Sequence, residues 1–178
     1  MTEKNILRKK LKEKRKSIKN LDTEKKIIEN LTGFLNEKNL KNILCYVSLE
    51  AEIGTEEILY NSDFNIAVPK VLGDYMEFYE LSELEVGYFG VREPKGDVIV
   101  NKNDYDCCIT PGLSFTKSGE RIGYGKGYYD KYLMDFKNLK IGLCYDEMLS
   151  DFIPTEKNDI KMDVIITEKE VIILGEKI

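Results

Sequence analysis

Histidine is missing altogether from the 178 residues. Its absence removes Ser–His and Cys–His nucleophilic pairs, histidine-rich zinc sites and imidazole acid–base catalysis. Any chemistry must rest on carboxylates, lysine, arginine, tyrosine, backbone amides or a hard metal ion. Such a set suits phosphoryl transfer, where positioning and charge stabilisation do most of the catalysis. Cysteine is sparse: Cys45, Cys107, Cys108 and Cys144 form no C-x-x-C pair, and each lies in or beside an apolar run. They read as buried, reduced thiols of a cytosolic protein rather than a disulfide framework. Four prolines and no long polar tract argue against a disordered region. No apolar run reaches the roughly 18 residues of a membrane span, and the basic N-terminus lacks the apolar core and cleavage site of a secretion signal. The expectation is a cytoplasmic, monomeric enzyme with one domain over residues 1–178 and no membrane partner.

Charge is present but unevenly spread. The net is −5, yet residues 1–26 hold 11 Lys/Arg against 4 Asp/Glu, so the remainder is strongly acidic. A basic arm can meet nucleic acid, the phosphates of a small ligand, or only solvent. No aromatic residue interleaves the first basic residues and the whole chain is acidic, so nucleic acid is not expected as a partner.

Apolar periodicity gives the elements. Leu7, Leu11 and Ile18 form a narrow helical stripe in the first twenty residues. A second helix follows Asp22 as N-cap, with Ile27, Ile28, Leu31, Phe34 and Leu35 at core-facing spacing. Strands are expected at Ile43–Val47, Asn65–Val68, Met76–Tyr79, Cys107–Ile109, Lys140–Cys144, Val164–Ile166 and Val171–Leu174, with helical segments at Glu56–Tyr60 and Tyr128–Phe136 and a long loop over Glu83–Asn103. Several strands are apolar throughout, as expected of strands buried on both faces. Alternating strands and helices predict an α/β fold: a mostly parallel sheet flanked by helices in Rossmann-like layers.

Ligands of such sheets bind where loops leave the C-terminal ends of strands. The stretch RIGYGKGYYD at residues 121–130 is such a loop, with Gly123, Gly125 and Gly127 alternating with Tyr124 and Lys126. Glycines let backbone N–H groups approach a ligand, a helix start adds free donors, and Arg121 and Lys126 add full positive charge. The stretch matches neither G-x-x-x-x-G-K-[ST] nor G-x-G-x-x-G, so spacing alone leaves phosphate binding and a flexible turn equally open. Asp130 is either an N-terminal helix carboxylate or a magnesium ligand.

RIGYGKGYYD resembles the R-x-G-x-G-x-G-Y-Y-D signature of the 5-formyltetrahydrofolate cyclo-ligases. Further resemblances run in order along the chain: KNILR at residues 4–8 followed by Arg15, SLEAEIGT at 48–55, VPK at 68–70, FGVREP at 89–94, PGLSF at 111–115 and KMD at 161–163. The resemblance implies ATP-dependent cyclisation of 5-formyltetrahydrofolate to 5,10-methenyltetrahydrofolate with release of ADP and phosphate. The γ-phosphoryl would pass to the formyl oxygen, and N10 would then attack the activated carbon. It further implies that Lys4, Arg8 and Arg121 to Tyr129, including Tyr128, hold ATP, with Lys126 and Arg121 as the catalytic cations. Glu52 and the backbone near Val47 would hold the folate, Gly123–Gly127 would face both substrates, and Asp130 and Asp163 would bind magnesium. Lys70 stands where the family usually has arginine; it keeps the charge but loses the bidentate fork. The residues alone leave open a sugar-phosphate isomerase, a CoA transferase or a non-catalytic binding protein on a similar scaffold.

Overall fold

The computed structural model describes residues 2–175. Its first helix, α1 (Glu3–Ile18), is capped by Thr2, whose side chain accepts from the Asn5 amide. Only Leu11 and Arg15 of α1 are buried. Helix α2 (Leu21–Glu37) starts two residues earlier than the Asp22 cap predicts. Asn20 is the N-cap: it is extended, and its side chain accepts from the Thr23 amide, which leaves Asp22 in the first turn. All five predicted apolar residues of α2 are buried, each worth about 1.5–3 kcal/mol on removal from water.

The chain then alternates through β1 (Asn42–Cys45), α3 (Glu56–Leu59), β2 (Asn65–Leu72), β3 (Tyr75–Glu80), β4 (Leu84–Val86), β5 (Arg92–Pro94), β6 (Cys107–Thr110), β7 (Ser114–Phe115), β8 (Arg121–Ile122), α4 (Tyr128–Leu133), β9 (Leu139–Leu143), β10 (Val164–Ile166) and β11 (Val171–Ile173). Seven strands form one sheet in the order β11-β10-β9-β6-β1-β2-β3. The five central strands run parallel, and β11 and β3 pair antiparallel at the edges. The molecule is thus a single α/β domain with a mostly parallel sheet flanked by helices, as its sequence predicts. The period-two rule shows in the core. Ile43, Cys45, Cys107 and Ile109 join α2 in one apolar cluster, whereas Leu44 and Cys108 join Phe78, Tyr132 and Leu133 in a second.

Three expectations are corrected. Residues 83–103 are not one irregular loop, because β4 and β5 pair antiparallel there; three-residue strands rich in charge show no readable periodicity. The hairpin of β7 and β8 is equally short, and it places Arg121 on a strand rather than in the loop. Helix α4 stops at Leu133 instead of Phe136. The four cysteines are buried and free, as predicted, and burial pushes their thiols up, Cys108 and Cys144 to about 12. Among the described residues no helix is long and apolar enough to cross a membrane.

The chain leaves β1 towards β2 on one side and returns to β6 on the other. The C-terminal ends of β1 and β6 therefore diverge, opening a crevice where ligands of such sheets bind. Val47 beyond β1 and Pro111 beyond β6 both line it.

Candidate active site

The crevice opens into a cleft of about 620 Å³. Helix α1 contributes Lys4 and Arg8, the segment after β1 contributes Val47 and Glu52, and residues 121–130 contribute the rest of the predicted set: Arg121, Gly123, Tyr124, Gly125, Lys126, Gly127, Tyr128, Tyr129 and Asp130. Segments more than 100 residues apart in sequence thus meet around one space.

The cations divide into two kinds. Arg8 donates from Nε to the Gly123 carbonyl at 3.0 Å and from Nη1 to the Asn5 side chain at 2.8 Å. That fastens α1 over the glycine-rich loop. Gly125 has φ +99°, and a Cβ there would lie 3.2 Å from the Arg8 guanidinium carbon, so only glycine combines this turn with this arginine. Lys4 ion-pairs with Asp159 at 2.5 Å and Glu156 at 3.2 Å. Burial acts to raise the Asp159 carboxyl, but the bond and charge of Lys4, the Glu156 amide and the charge of Arg121 together outweigh it and hold the group below its ordinary range. Lys126 is exposed at the loop tip with its ammonium 5.1 Å from the Phe89 ring centroid, a cation–π contact. Phe89 itself is exposed and holds a left-handed φ of 57°.

Arg121 behaves differently. Its side chain is almost enclosed, donating to the Pro111 carbonyl at 3.0 Å and to Asp130 Oδ1 at 2.9 Å. Among the described residues its buried Nε has no hydrogen-bond partner. An orphaned donor on a cation beneath the cleft is what an added anion would satisfy. Asp130 Oδ1 also accepts from the Ile160 amide at 3.1 Å.

The remaining lining includes apolar and phenolic groups. Glu52 is buried, and its Oε2 accepts from the Leu49 amide at 2.7 Å. Burial raises its carboxyl above the ordinary range, opposed by the Leu49 amide and the Tyr124 hydroxyl. Burial also raises the Tyr124 phenol, which therefore keeps its proton and acts as a donor to Glu52.

The structure does not bring Asp163 into this cleft. It precedes β10 at the N-terminal edge of the sheet, where Oδ2 accepts from the Lys140 amide at 2.9 Å and pairs with its ammonium at 2.8 Å. Strand register puts this pair at the far end from Val47 and Pro111. Lys70 also lies outside the lining and donates to the Pro94 carbonyl at 3.2 Å. Glu93, Glu156 and Asp159 also line the cleft, beyond the residues that the sequence predicts there. Glu93 stands in the quoted FGVREP run, so a signal was present; Glu156 and Asp159 lie in irregular chain with no pattern of their own.

These parts define an α/β enzyme whose cleft sets several cations against a buried carboxylate. The profile of the 5-formyltetrahydrofolate cyclo-ligase family matches residues 1–168. A 5-formyltetrahydrofolate cyclo-ligase of Mycoplasma genitalium is 31% identical over 179 residues, covering 93% of this chain and 98% of that protein. The solved structure of 5,10-methenyltetrahydrofolate synthetase from Aquifex aeolicus superposes with a TM-score of 0.85 at 33% identity, covering 98% of this chain and 94% of the other. That of the synthetase from Mycoplasma pneumoniae gives 0.76 at 29% identity, covering 94% and 99%. The chain belongs to the 5-formyltetrahydrofolate cyclo-ligase family and is an enzyme of the ligase class.

Proposed function

We propose that the protein uses ATP to cyclise 5-formyltetrahydrofolate to 5,10-methenyltetrahydrofolate, releasing ADP and phosphate. The observation that carries this reading is the composition of the cleft. Lys4, Arg8 and Lys126 line it together with Glu52 and Tyr124. A formamide is a poor electrophile whose oxygen leaves badly. Transfer of the γ-phosphoryl to that oxygen gives an iminium-like phosphate, N10 attacks its carbon and closes the ring, and loss of phosphate and of the N10 proton gives the methenyl product. Lys126, with Arg121 beneath the loop, neutralises the transferring group. The orphaned Nε of Arg121 supports an anion there. Glu52, held by Leu49 and Tyr124, accepts N–H donors of the pterin, and Val47 packs beside it. Holding N10 near the carbon contributes roughly 7–11 kcal/mol in favourable cases. No step requires a strong general base, in keeping with a chain without histidine.

Magnesium suits the donor chemistry, because Asp130 is a hard oxygen ligand in the cleft and such ions are held by one or two carboxylates plus substrate phosphates. Asp130 would hold it, where it would supply charge neutralisation between phosphate oxygens. Asp163, at the opposite end of the strands and paired with Lys140, is not among the groups that would hold it. Four buried free thiols support a reducing, cytoplasmic setting, and we assign the working unit as a monomer. The test is a near-ultraviolet absorbance assay for the methenyl product with purified protein, 5-formyltetrahydrofolate, ATP and magnesium. An increase that requires both ATP and magnesium is expected; none, or one indifferent to ATP, rejects the reading.

A further inference from the structure

Arg15 lies on α1 one turn beyond Leu11, and the two are the buried residues of that helix. It is 6% exposed although it carries a full charge. Enclosing a guanidinium is costly, and an apolar side chain of similar volume often serves stability as well or better. Its bonds show what the charge does. Nη1 donates to the Gly112 carbonyl at 2.8 Å, and Nη2 donates to the Tyr124 hydroxyl. The guanidinium carbon also lies 5.6 Å from the Tyr124 ring centroid. Arg15 is absent from the lining of the large cleft, so it touches Tyr124 from behind.

The direction of these bonds follows from the donor inventory. A guanidinium only donates, so Tyr124 must accept from Arg15. Its single proton is then free for Glu52, which lines the same cleft and whose carboxyl the Tyr124 hydroxyl acts to lower. The Leu49 amide fixes the same carboxylate from the other side. We propose that Arg15 is a positioning residue: without touching either substrate, it sets the Tyr124 hydroxyl as donor to Glu52 and so fixes the carboxylate that receives the folate. This deepens the cyclo-ligase reading and rests on it, since the role presumes that Glu52 meets the folate.

The test is calorimetric binding of 5-formyltetrahydrofolate and, separately, of ATP, to the full-length protein carrying Arg15→Met, Arg15→Lys, Tyr124→Phe or Arg15→Met with Tyr124→Phe. Loss of a charge-assisted link should weaken folate binding about tenfold in Arg15→Met, with ATP binding changed less than about threefold. Arg15→Lys should recover part of the loss, because an ammonium cannot serve Gly112 and Tyr124 with a planar fork. Adding Arg15→Met to Tyr124→Phe should cost less than about threefold more, because the link is already gone. Equal weakening of both ligands, or full additivity, would show a merely structural role and overturn the proposal. Should Arg15→Met fold poorly, Tyr124→Phe alone decides: folate binding equal to the parent's overturns it. Because binding is read without turnover, the expected pattern with no ATP-dependent product rejects the reaction while leaving this role intact. Absence of folate binding in the parent overturns both.

Discussion

Two aspartates, one on α4 and one before β10, look alike in sequence, yet they have opposite surroundings. Asp130 lies at the cleft beyond the C-terminal strand ends, bonded to Arg121 and the Ile160 amide. Asp163 lies at the N-terminal edge, bonded to both the backbone and the ammonium of Lys140. Each pairs with one cation that is itself nearly enclosed. The difference is what lies beyond the pair. Past Asp130 is open space shared with Lys4, Arg8 and Lys126, while Asp163 joins β9 to β10 beneath the sheet. A carboxylate–cation pair is therefore a functional mark only where its outer side faces a cavity, and otherwise it is part of the scaffold.

The sharpest way to break this comparison is on the cleft side. Lys126→Ala should lower kcat/KM by roughly 100-fold or more, the usual cost of one lost transition-state donor. Its melting temperature should move by less than about 2 °C, since an exposed loop side chain contributes little to stability. Comparable turnover in the purified variant would remove lysine from the reaction. Asp130→Asn should reduce magnesium-dependent turnover about tenfold or more and raise the magnesium concentration required, read from a metal titration of the assay. On the scaffold side, Asp163→Asn strands a buried ammonium. Breaking such a pair costs about 3–5 kcal/mol, which in a chain of this size is roughly 6–20 °C of melting temperature. Turnover per folded molecule should stay within about twofold of the parent. If Asp163→Asn instead loses turnover without losing stability, the two aspartates are partners after all.

The smallest expected effect concerns pH. Glu120, in the β7–β8 hairpin, is lowered to about 2 by bonds from Lys161, Ser118 and Thr116, in that order of importance. A depressed carboxylate contributes stability that is fully present above its unfolded value of about 4.5 and is lost as pH falls towards 2. Melting temperature should therefore fall across that window by more in the parent than in Glu120→Gln. Equal slopes would show that the hairpin's ion pair is fully screened by solvent.

Much of this arrangement is legible in the sequence. The buried stripe of α2 and the strand Val164–Ile166 follow from apolar periodicity, and the glycine-rich loop follows from its alternation. The rest depends on long-range geometry. Nothing local tells Asp163 from Asp130, because standing before a strand does not reveal which edge of the sheet is meant. Asp159 carries no motif, and its meaning comes from Lys4, 155 residues away. Arg15 did carry a signal: it continues the Leu7–Leu11 spacing, and a basic residue on the core-facing stripe of a helix needs a buried partner. Short strands such as β4, β5, β7 and β8 owe their existence to tertiary pairing rather than propensity.

Helix α1 gives little apolar surface to the interior, yet it brings Lys4 and Arg8 to the cleft. Its attachment and the capture of an anion are therefore one equilibrium seen from two ends. Any ligand that grips those two cations adds its own free energy to the seating of the helix, by RT ln(1 + [L]/Kd). Undocking the helix, conversely, releases the ligand. In hydrogen exchange, the amides of α1 should be the helical amides most slowed by nucleotide, while those of α2, enclosed whatever the cleft contains, keep their pace.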